Sequence, residues 1–367
     1  MPHNPRRLKR LAAVFVLPVA RHPLCAFLFF MPKPEAVLCA SPAGLYCPPG
    51  DFYIDPTRPV ARAVITHGHS DHARAGHGAV VATAETLAIM QARMGDGFAG
   101  ATEAVRYSQT IERDGVEITL VPAGHVLGSA QAVIRANGMT IVVSGDYKRR
   151  RDPTCPAFEP VKCDVFVTEA TFGLPVYCFP DDRDEIAKLL KSVAQFPERT
   201  HLIGAYSLGK AQRVIMLLRE AGWDKTIYIH GAMAHMNTIY ERFGVQLGPI
   251  APATTEKKKD FEGAIVIAPP SATQDRWTRR FADPLVAFAS GWMCVRARAR
   301  QRGVELPLVL SDHCDWNELT GTLSELKPGE VWITHGNEEA LLRWCELNGQ
   351  KARALSLVGY DADEGET

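Results

Sequence analysis

Four side chains that commonly bind metals lie close together, directly after a predicted strand at Ala63–Thr66; they are His67, His69, Asp71 and His72. Four polar side chains spaced so closely cannot all point into one hydrophobic core, but on a turn they can face two adjacent points in space. Imidazole and carboxylate groups together bind Zn²⁺, Mn²⁺ or iron ions. The spacing therefore predicts a metal site, with His67 and His69 at one point and Asp71 and His72 at the other.

Two further candidates end apolar strands downstream, His125 in Ala123-Gly124-His125 and Asp146 in Ser144-Gly145-Asp146. The neighbouring glycine lets the backbone approach a site closely. Either residue alone would more often have a structural role, but with the first cluster they complete two ligand sets that Asp146 bridges. The predicted ligands are His67, His69 and His125 for the first ion and Asp71 and His72 for the second.

The pattern H-x-H-x-D-H, followed by a separate histidine and then an aspartate, resembles the metallo-β-lactamase superfamily. Asp55, at the end of a predicted strand Phe52–Asp55, matches the first motif of that superfamily. The resemblance implies two divalent metal ions, with Zn²⁺ favoured and Mn²⁺ as the alternative. It also implies that Asp55 supports the metal-binding loop from behind the ligands.

Three downstream residues are similar to motifs A, B and C of the β-CASP nucleases; they are Glu169 in Thr168-Glu169-Ala170, His313 in Asp312-His313, and His335 in Thr334-His335-Gly336. The resemblance implies that His335 completes the second ligand set, that His313 is the general acid and that Glu169 orients it. Two metal ions would generate a hydroxide that attacks a phosphodiester. The candidate catalytic residues are Asp71, Glu169 and His313.

Within this family the chain looks most like the bacterial ligase-associated DNA exonucleases, through the segments 44–55 and 311–316. That likeness implies a DNA exonuclease in a repair system, associated with an ATP-dependent DNA ligase and a helicase. His335 instead favours RNA as the substrate, because histidine in motif C is typical of RNA-cleaving members of the family. RNA therefore stays open as a substrate, as does another ester or thioester.

The order of predicted elements changes at Gly173. Before it, short strands dominate, and Asn137-Gly138 predicts a hairpin turn. After it, strands alternate with helices, which predicts a parallel sheet. With the resemblance, this predicts an α/β fold, a metallo-β-lactamase αββα sandwich interrupted by an α/β β-CASP domain. We expect the sandwich at 41–173 and 306–360, the insert at 174–305 and a tail at 361–367.

The first forty residues resemble neither the predicted sandwich nor the predicted insert. Their apolar runs, Leu11–Ala20 and Leu24–Phe30, are shorter than the roughly 20 residues that span a bilayer. We expect residues 1–40 to be a non-native or disordered extension, with Met31 as the native start. The nine cysteines are odd in number and include no C-x-x-C pair, so neither a disulfide framework nor a cysteine zinc site is indicated. Such scattered thiols favour a reducing compartment. We therefore expect a cytoplasmic protein without a membrane partner.

Basic residues are unevenly distributed. The chain has 41 Lys and Arg and 41 Asp and Glu, yet residues 174–305 hold 19 basic against 14 acidic side chains. Lys148, Arg149 and Arg150 follow Asp146 and are expected at the rim of the metal site, where they would contact nucleic-acid phosphates.

The run from Gly204 to Ala211 is close to a phosphate-binding loop. Because it has Ala211 where a Mg²⁺-binding Ser or Thr belongs, it argues against ATP. A glycine turn before a helix still offers free N–H groups to a phosphate. We expect Ser207 and Lys210 to contact the substrate there.

Overall fold

The computed structural model describes Met1, residues 33–254 and residues 257–355. Most of the N-terminal extension, the proposed start at Met31 and the predicted tail at 361–367 lie outside these ranges. Within them the chain forms three sheets and seven α-helices, which confirms the predicted α/β class. None of the helices described is long and apolar enough to cross a membrane.

The first sheet takes its strands in chain order: β1 (Cys39–Ser41), β2 (Gly44–Cys47), β3 (Phe52–Ile54), β4 (Arg62–Val64), β5 (His77–Ala82) and β6 (Ala99–Ala104). Strands β1 to β3 pair antiparallel, and β3 to β6 pair parallel. Helix α1 (Ala84–Met94) connects β5 to β6, and its Met90 packs with Ile65 and Val80 in one apolar cluster. The Thr83 side chain caps this helix by accepting from the Thr86 N–H.

The second sheet begins with β7 (Thr110–Arg113), β8 (Val116–Pro122), β9 (Ala130–Ala136), β10 (Met139–Val143) and β11 (Val165–Ala170). Asn137 and Gly138 join β9 to β10 with φ of 54° and 75°, so the predicted hairpin is confirmed. Because β9 is antiparallel to both β8 and β10, and β11 is parallel to β10, strands β8, β10 and β11 all run in one direction.

The third sheet is entirely parallel, as the alternation after Gly173 predicted. Its strands, in the order β14-β13-β15-β12-β16-β17, are β12 (His201–Gly204), β13 (Ile227–Ile229), β14 (Ile250–Pro252), β15 (Ile265–Ala268), β16 (Leu285–Ala289) and β17 (Leu306–Leu308). The accompanying helices are α2 (Asp182–Gln195), α3 (Lys210–Glu220), α4 (Ala234–Arg242) and α5 (Arg296–Gln301).

The chain then returns to the second sheet through α6 (Trp316–Leu326), β18 (Glu330–Gly336), α7 (Glu338–Leu347) and β19 (Ala352–Ala354). Strand β18 pairs parallel with β11, and β19 pairs parallel with β18. Side chains of the first two sheets, such as Ile54 and Ile134, share one buried cluster. Helices α6 and α7 pack on the second sheet in another cluster, which includes Leu319 and Leu341.

Two structural elements extend across the predicted boundaries at residues 41 and 305. Val37 and Leu38 are fully buried in the cluster between the first two sheets, so the folded part begins before residue 41. Strand β17 lies beyond residue 305 but pairs with β16 in the third sheet, because Ala287 to Ala289 extend that sheet to Leu306–Leu308. The division into two domains remains a proposal.

Candidate metal centre

Strand direction brings the predicted ligands together. Strands β8, β10, β11 and β18 run the same way, so their carboxyl ends meet at one edge of the second sheet. His125 follows β8, Asp146 follows β10, and Glu169 and His335 lie at the ends of β11 and β18. The loop after β4, which carries the H-x-H-x-D-H pattern, reaches the same edge, where the Ala130 N–H donates to the Thr66 carbonyl.

The first predicted ligand set converges on one point. His67 Nε2 lies 3.3 Å from Asp146 Oδ2, and His125 Nε2 lies 3.7 Å from the same oxygen. His69 Nδ1 is 2.9 Å from His125 Nε2. Zn–N bonds of about 2.0–2.1 Å at tetrahedral angles imply ligand atoms roughly 3.3 Å apart. The four side chains therefore have the spacing of one metal-binding set.

The second set uses the other oxygen of the same carboxylate. Asp146 Oδ1 lies 3.4 Å from His72 Nε2 and 3.2 Å from His335 Nε2. Asp71 Oδ2 is 3.7 Å from His72 Nε2. Asp146 thus faces both sets, one with each oxygen, as a bridging ligand must.

Three of the histidines are oriented through their second ring nitrogen. Asp55 Oδ2 lies 2.8 Å from His72 Nδ1, and Asp55 also accepts from the Thr66 N–H and hydroxyl at 2.7 and 2.6 Å. The His125 Nδ1–H donates to the Asp312 carbonyl at 2.9 Å, and the His69 Nε2–H to the Leu208 carbonyl at 3.3 Å. Such partners fix the tautomer and aim the free lone pair.

The chemistry of the donors fits divalent cations. His67 Nε2 is buried and has no hydrogen-bond partner in the described part of the chain. Burial lowers the pKa of His67 well below its ordinary value and that of His125 to about 3. Both imidazoles are therefore neutral near pH 7, which leaves a lone pair on each. Imidazole and carboxylate ligands combined in this way accept zinc and also manganese.

Glu169 and His313 form a separate pair beside the ligands. Glu169 Oε2 lies 2.9 Å from His313 Nδ1, and the carboxylate also accepts from the Tyr147 N–H at 2.8 Å and the Thr171 hydroxyl at 2.5 Å. His313 Nδ1 is 4.0 Å from Asp146 Oδ2. The carboxylate therefore holds the imidazole next to the bridging residue.

A cavity of about 450 Å³ opens onto both sets. Its lining includes predicted residues, among them His69, Asp71, Asp146, Ser207, His313 and His335. Sequence reasoning missed other residues that line it, among them Arg93, Tyr206 and Asp312. Arg93 had no motif to mark it. Tyr206 lies in the run Gly204 to Ala211, and Asp312 stands next to His313 in the segment 311–316, so both carried a usable signal.

Two of the residues predicted to contact phosphates, Lys148 and Lys210, are buried. Lys148 is buried, with Nζ 3.0 Å from the His313 carbonyl and 3.4 Å from Glu318. Lys210 is also buried and pairs with the carboxylate of Asp312. Both ammonium groups are therefore enclosed and paired within the protein, and any contact with nucleic acid remains a prediction. A basic residue after a strand end turns inward as readily as outward.

Arg149 and Arg150 are only partly enclosed. Arg149 pairs with Glu325 at 2.6 Å and Arg150 with Asp315 at 2.9 Å. Their side chains are 27% and 30% exposed, and neither lines the cavity. Their ion-pair partners thus belong to helix α6 and its N-terminus, and any contact with nucleic acid remains a prediction.

Several proteins similar to this chain are named as nucleic-acid enzymes or processing factors. No protein-family model matches the chain. A probable DNA ligase from Opitutus terrae is 28% identical over 331 residues, which are 85% of this chain and 30% of that protein. Cleavage and polyadenylation specificity factor subunit 3 from Dictyostelium discoideum is 27% identical over 309 residues, 70% of this chain and 40% of that protein. An endoribonuclease, YSH1 from Gibberella zeae, is 35% identical over 128 residues, 34% of this chain and 15% of that protein.

The chain thus spans less than half the length of each of these relatives. A crystal structure of a protein of unknown function from Enterococcus faecalis V583 has a TM-score of 0.53 at 14% identity, covering 81% of this chain and 80% of that one, and so shows a shared fold alone. Together, the relatives support the resemblance to the β-CASP nucleases of the metallo-β-lactamase superfamily. They do not distinguish DNA from RNA.

Proposed function

We propose that this protein is a metal-dependent phosphodiesterase that degrades DNA from its ends, in a repair system associated with a DNA ligase. One observation carries the proposal: the two oxygens of Asp146 face two separate sets of histidine and aspartate ligands, beside a histidine held by Glu169. Paired ligand sets that share one carboxylate are typical of hydrolases that displace an oxygen at phosphorus.

The proposed architecture is the αββα metallo-β-lactamase sandwich with a β-CASP insert. The first two sheets, with α1 on one side and α6 and α7 on the other, would form the sandwich. The third sheet and its helices would form the insert. The cavity supports this division, since it is lined by Asp71 and His335 from the first part and by Tyr206 and Ser271 from the second.

The ligands would hold two divalent metal ions, zinc or manganese, which when bound supply an activated water molecule and neutralise charge on a phosphate. His313 would protonate the leaving oxygen. Its Nδ1–H donates to Glu169, so the proton to be transferred resides on Nε2. The neighbouring carboxylate favours the protonated imidazole, which a general acid requires. Asp55 would position His72 and Leu208 would position His69.

DNA is favoured by the similarity to the probable DNA ligase from Opitutus terrae. The matched region is 30% of that protein but 85% of this chain, so a protein bearing a ligase name contains a region similar to nearly all of this one. This supports a functional association with a DNA ligase, and the ATP dependence of that ligase is implied by the family resemblance. The association with a helicase rests on the family resemblance alone.

RNA is the second candidate, and one residue favours it together with the comparisons. His335 occupies the motif C position at which RNA-cleaving members carry histidine. Relatives named endoribonucleases match this chain over about a third of its length. The second candidate would use the same ligands and the same acid, so the centre itself does not discriminate between the two.

Digestion of matched DNA and RNA strands, labelled at either the 5′ or the 3′ end, tests both candidates. Purified protein with Zn²⁺ or Mn²⁺ should shorten DNA progressively from one end, and chelation should stop the reaction. If the protein instead releases internal fragments from RNA and leaves DNA uncut, the second candidate, a ribonuclease, is the correct one. Failure on both nucleic acids, with two metal ions per chain confirmed by elemental analysis, would reject the proposal.

A further inference from the structure

The segment 276–302 is strongly basic. It contains seven arginines and a single acidic residue, Asp283. Six of the seven arginines are exposed; they are Arg276, Arg279, Arg296, Arg298, Arg300 and Arg302. We call these six residues the arginine track. Its last four members lie in or directly after α5, and none of those four forms an ion pair with another described residue.

Aromatic rings support several of these guanidinium groups. The Arg298 guanidinium lies 4.0 Å from the centroid of Trp292, and that of Arg302 lies 5.2 Å from the centroid of Phe288. The half-buried Arg280 lies 4.9 Å from the centroid of Trp277 in the same way. A guanidinium stacked on a ring keeps its charge and its N–H edge while losing little conformational freedom. The track is therefore preorganised in part.

Two connections join the track to the metal centre. The 3₁₀ helix Pro270–Gln274 contributes Ser271 to the cavity, and Gln274 Nε2 donates to the Arg302 carbonyl at 3.2 Å. On the other side, Trp292 packs on Phe172 with ring centroids 4.7 Å apart, and Phe172 lies 6.1 Å from the His313 ring. These contacts connect Arg302, through Gln274, and Arg298, through Trp292 and Phe172, to elements that line the cavity.

We propose that the arginine track binds the sugar–phosphate backbone of a single-stranded nucleic acid whose end lies in the cavity. The inference rests on the proposed function and adds a substrate-holding surface to it. Unneutralised arginines bind phosphates. The guanidinium groups over Trp292 and Phe288 also offer flat faces on which the exposed bases of a single strand can stack. The bases of a duplex are paired and stacked on one another, so they cannot make this contact. An isolated solvated charge run would explain neither the stacking nor the connection to the cavity.

The test compares two doubly substituted proteins of equal charge. Arg298→Glu with Arg300→Glu alters the track, whereas Arg106→Glu with Arg343→Glu alters exposed arginines that do not line the cavity. Fluorescence anisotropy with a chelator present measures binding of a labelled single strand, as DNA and as RNA, without cleavage. The track variant should bind at least about tenfold more weakly at low salt. The slope of the logarithm of its association constant against the logarithm of the salt concentration should be less steep by about 0.7 for each phosphate that the altered track no longer neutralises.

Equal affinity and equal salt slopes in the two variants would overturn the proposal, as would tighter binding of a duplex than of a single strand. Preference between DNA and RNA identifies which strand the track holds. Arg298→Lys keeps the charge and removes the planar group, so it should keep the salt slope and bind a few-fold more weakly; wild-type affinity would refute stacking. Because binding is measured without cleavage, track-dependent binding by a protein that cuts nothing would reject the proposed function and retain the track.

Discussion

Lys210, the first residue of helix α3, pairs with the carboxylate of Asp312, and neither side chain is more than 4% exposed. The ion pair joins the turn before α3 to the loop that carries His313. Gly209 makes this approach possible, since its φ is 85° and a Cβ there would lie 2.4 Å from Val126 Cγ1. The turn that resembles a phosphate-binding loop is therefore packed closely against Val126 and the Asp312 carboxylate.

Lys210→Met should destabilise the protein, because it leaves the Asp312 carboxylate buried without its partner. Loss of one member of a buried ion pair costs about 3–5 kcal/mol. Urea denaturation measures the free energy of unfolding. Lys188→Met, which breaks the more exposed pair with Glu185, serves as the control and should cost about 1 kcal/mol or less. Unchanged stability, with activity lost only on phosphorylated ends, would restore the phosphate-binding interpretation of Lys210.

The sequence predicted most of the side chains that the structure brings together, because they follow strands, where local patterns are strong. The hairpin at Asn137-Gly138, the parallel strands after Gly173 and the convergence of His67 and Asp146 all follow from such patterns. The directions of Lys148 and Lys210 could not be predicted. They depend on carboxylates and carbonyls more than 100 residues away along the chain, and charge alone does not reveal burial.

Asp55→Asn should weaken metal binding without removing a ligand. Asp55 lies beside Nδ1 of His72, whereas Nε2 of the same ring faces Asp146, and Asp55 also receives two hydrogen bonds from Thr66. Loss of its charge should loosen the orientation of His72 and reduce affinity for the second metal ion by about 10–100-fold. Competition with a fluorescent chelator measures that affinity. Asp51→Asn, at an exposed position in the same part of the chain, should leave it unchanged, and an equal effect of both substitutions would argue against the positioning role.

His313→Ala should separate chemistry from metal binding. Removal of a general acid slows turnover by about 10²–10⁴-fold, while both ligand sets remain intact. Single-turnover cleavage gives the rate and elemental analysis gives the metal content. Glu169→Gln should slow the reaction in the same direction and shift its pH profile, because the neutral amide no longer stabilises a protonated His313. His235→Ala, at an exposed histidine, is the control. Turnover at the wild-type rate in His313→Ala would remove the residue from the mechanism.

Asp146→Ala should disable both ligand sets at once, because each carboxylate oxygen of Asp146 faces a different ligand set. Oδ2 lies beside His67 of the first set, and Oδ1 lies beside His335 of the second set. We expect the metal content to fall well below two ions per chain and cleavage to become undetectable. Metal-dependent stabilisation should disappear as well, since a bound ion raises the free energy of unfolding only where it binds the folded state. Elemental analysis, cleavage assays and melting curves with and without Zn²⁺ measure the three effects. Asp224→Ala, at an exposed aspartate, should change none of them. Full cleavage by Asp146→Ala would refute a bridged two-metal centre, whereas loss of cleavage with both ions retained would give Asp146 a role in the reaction other than bridging.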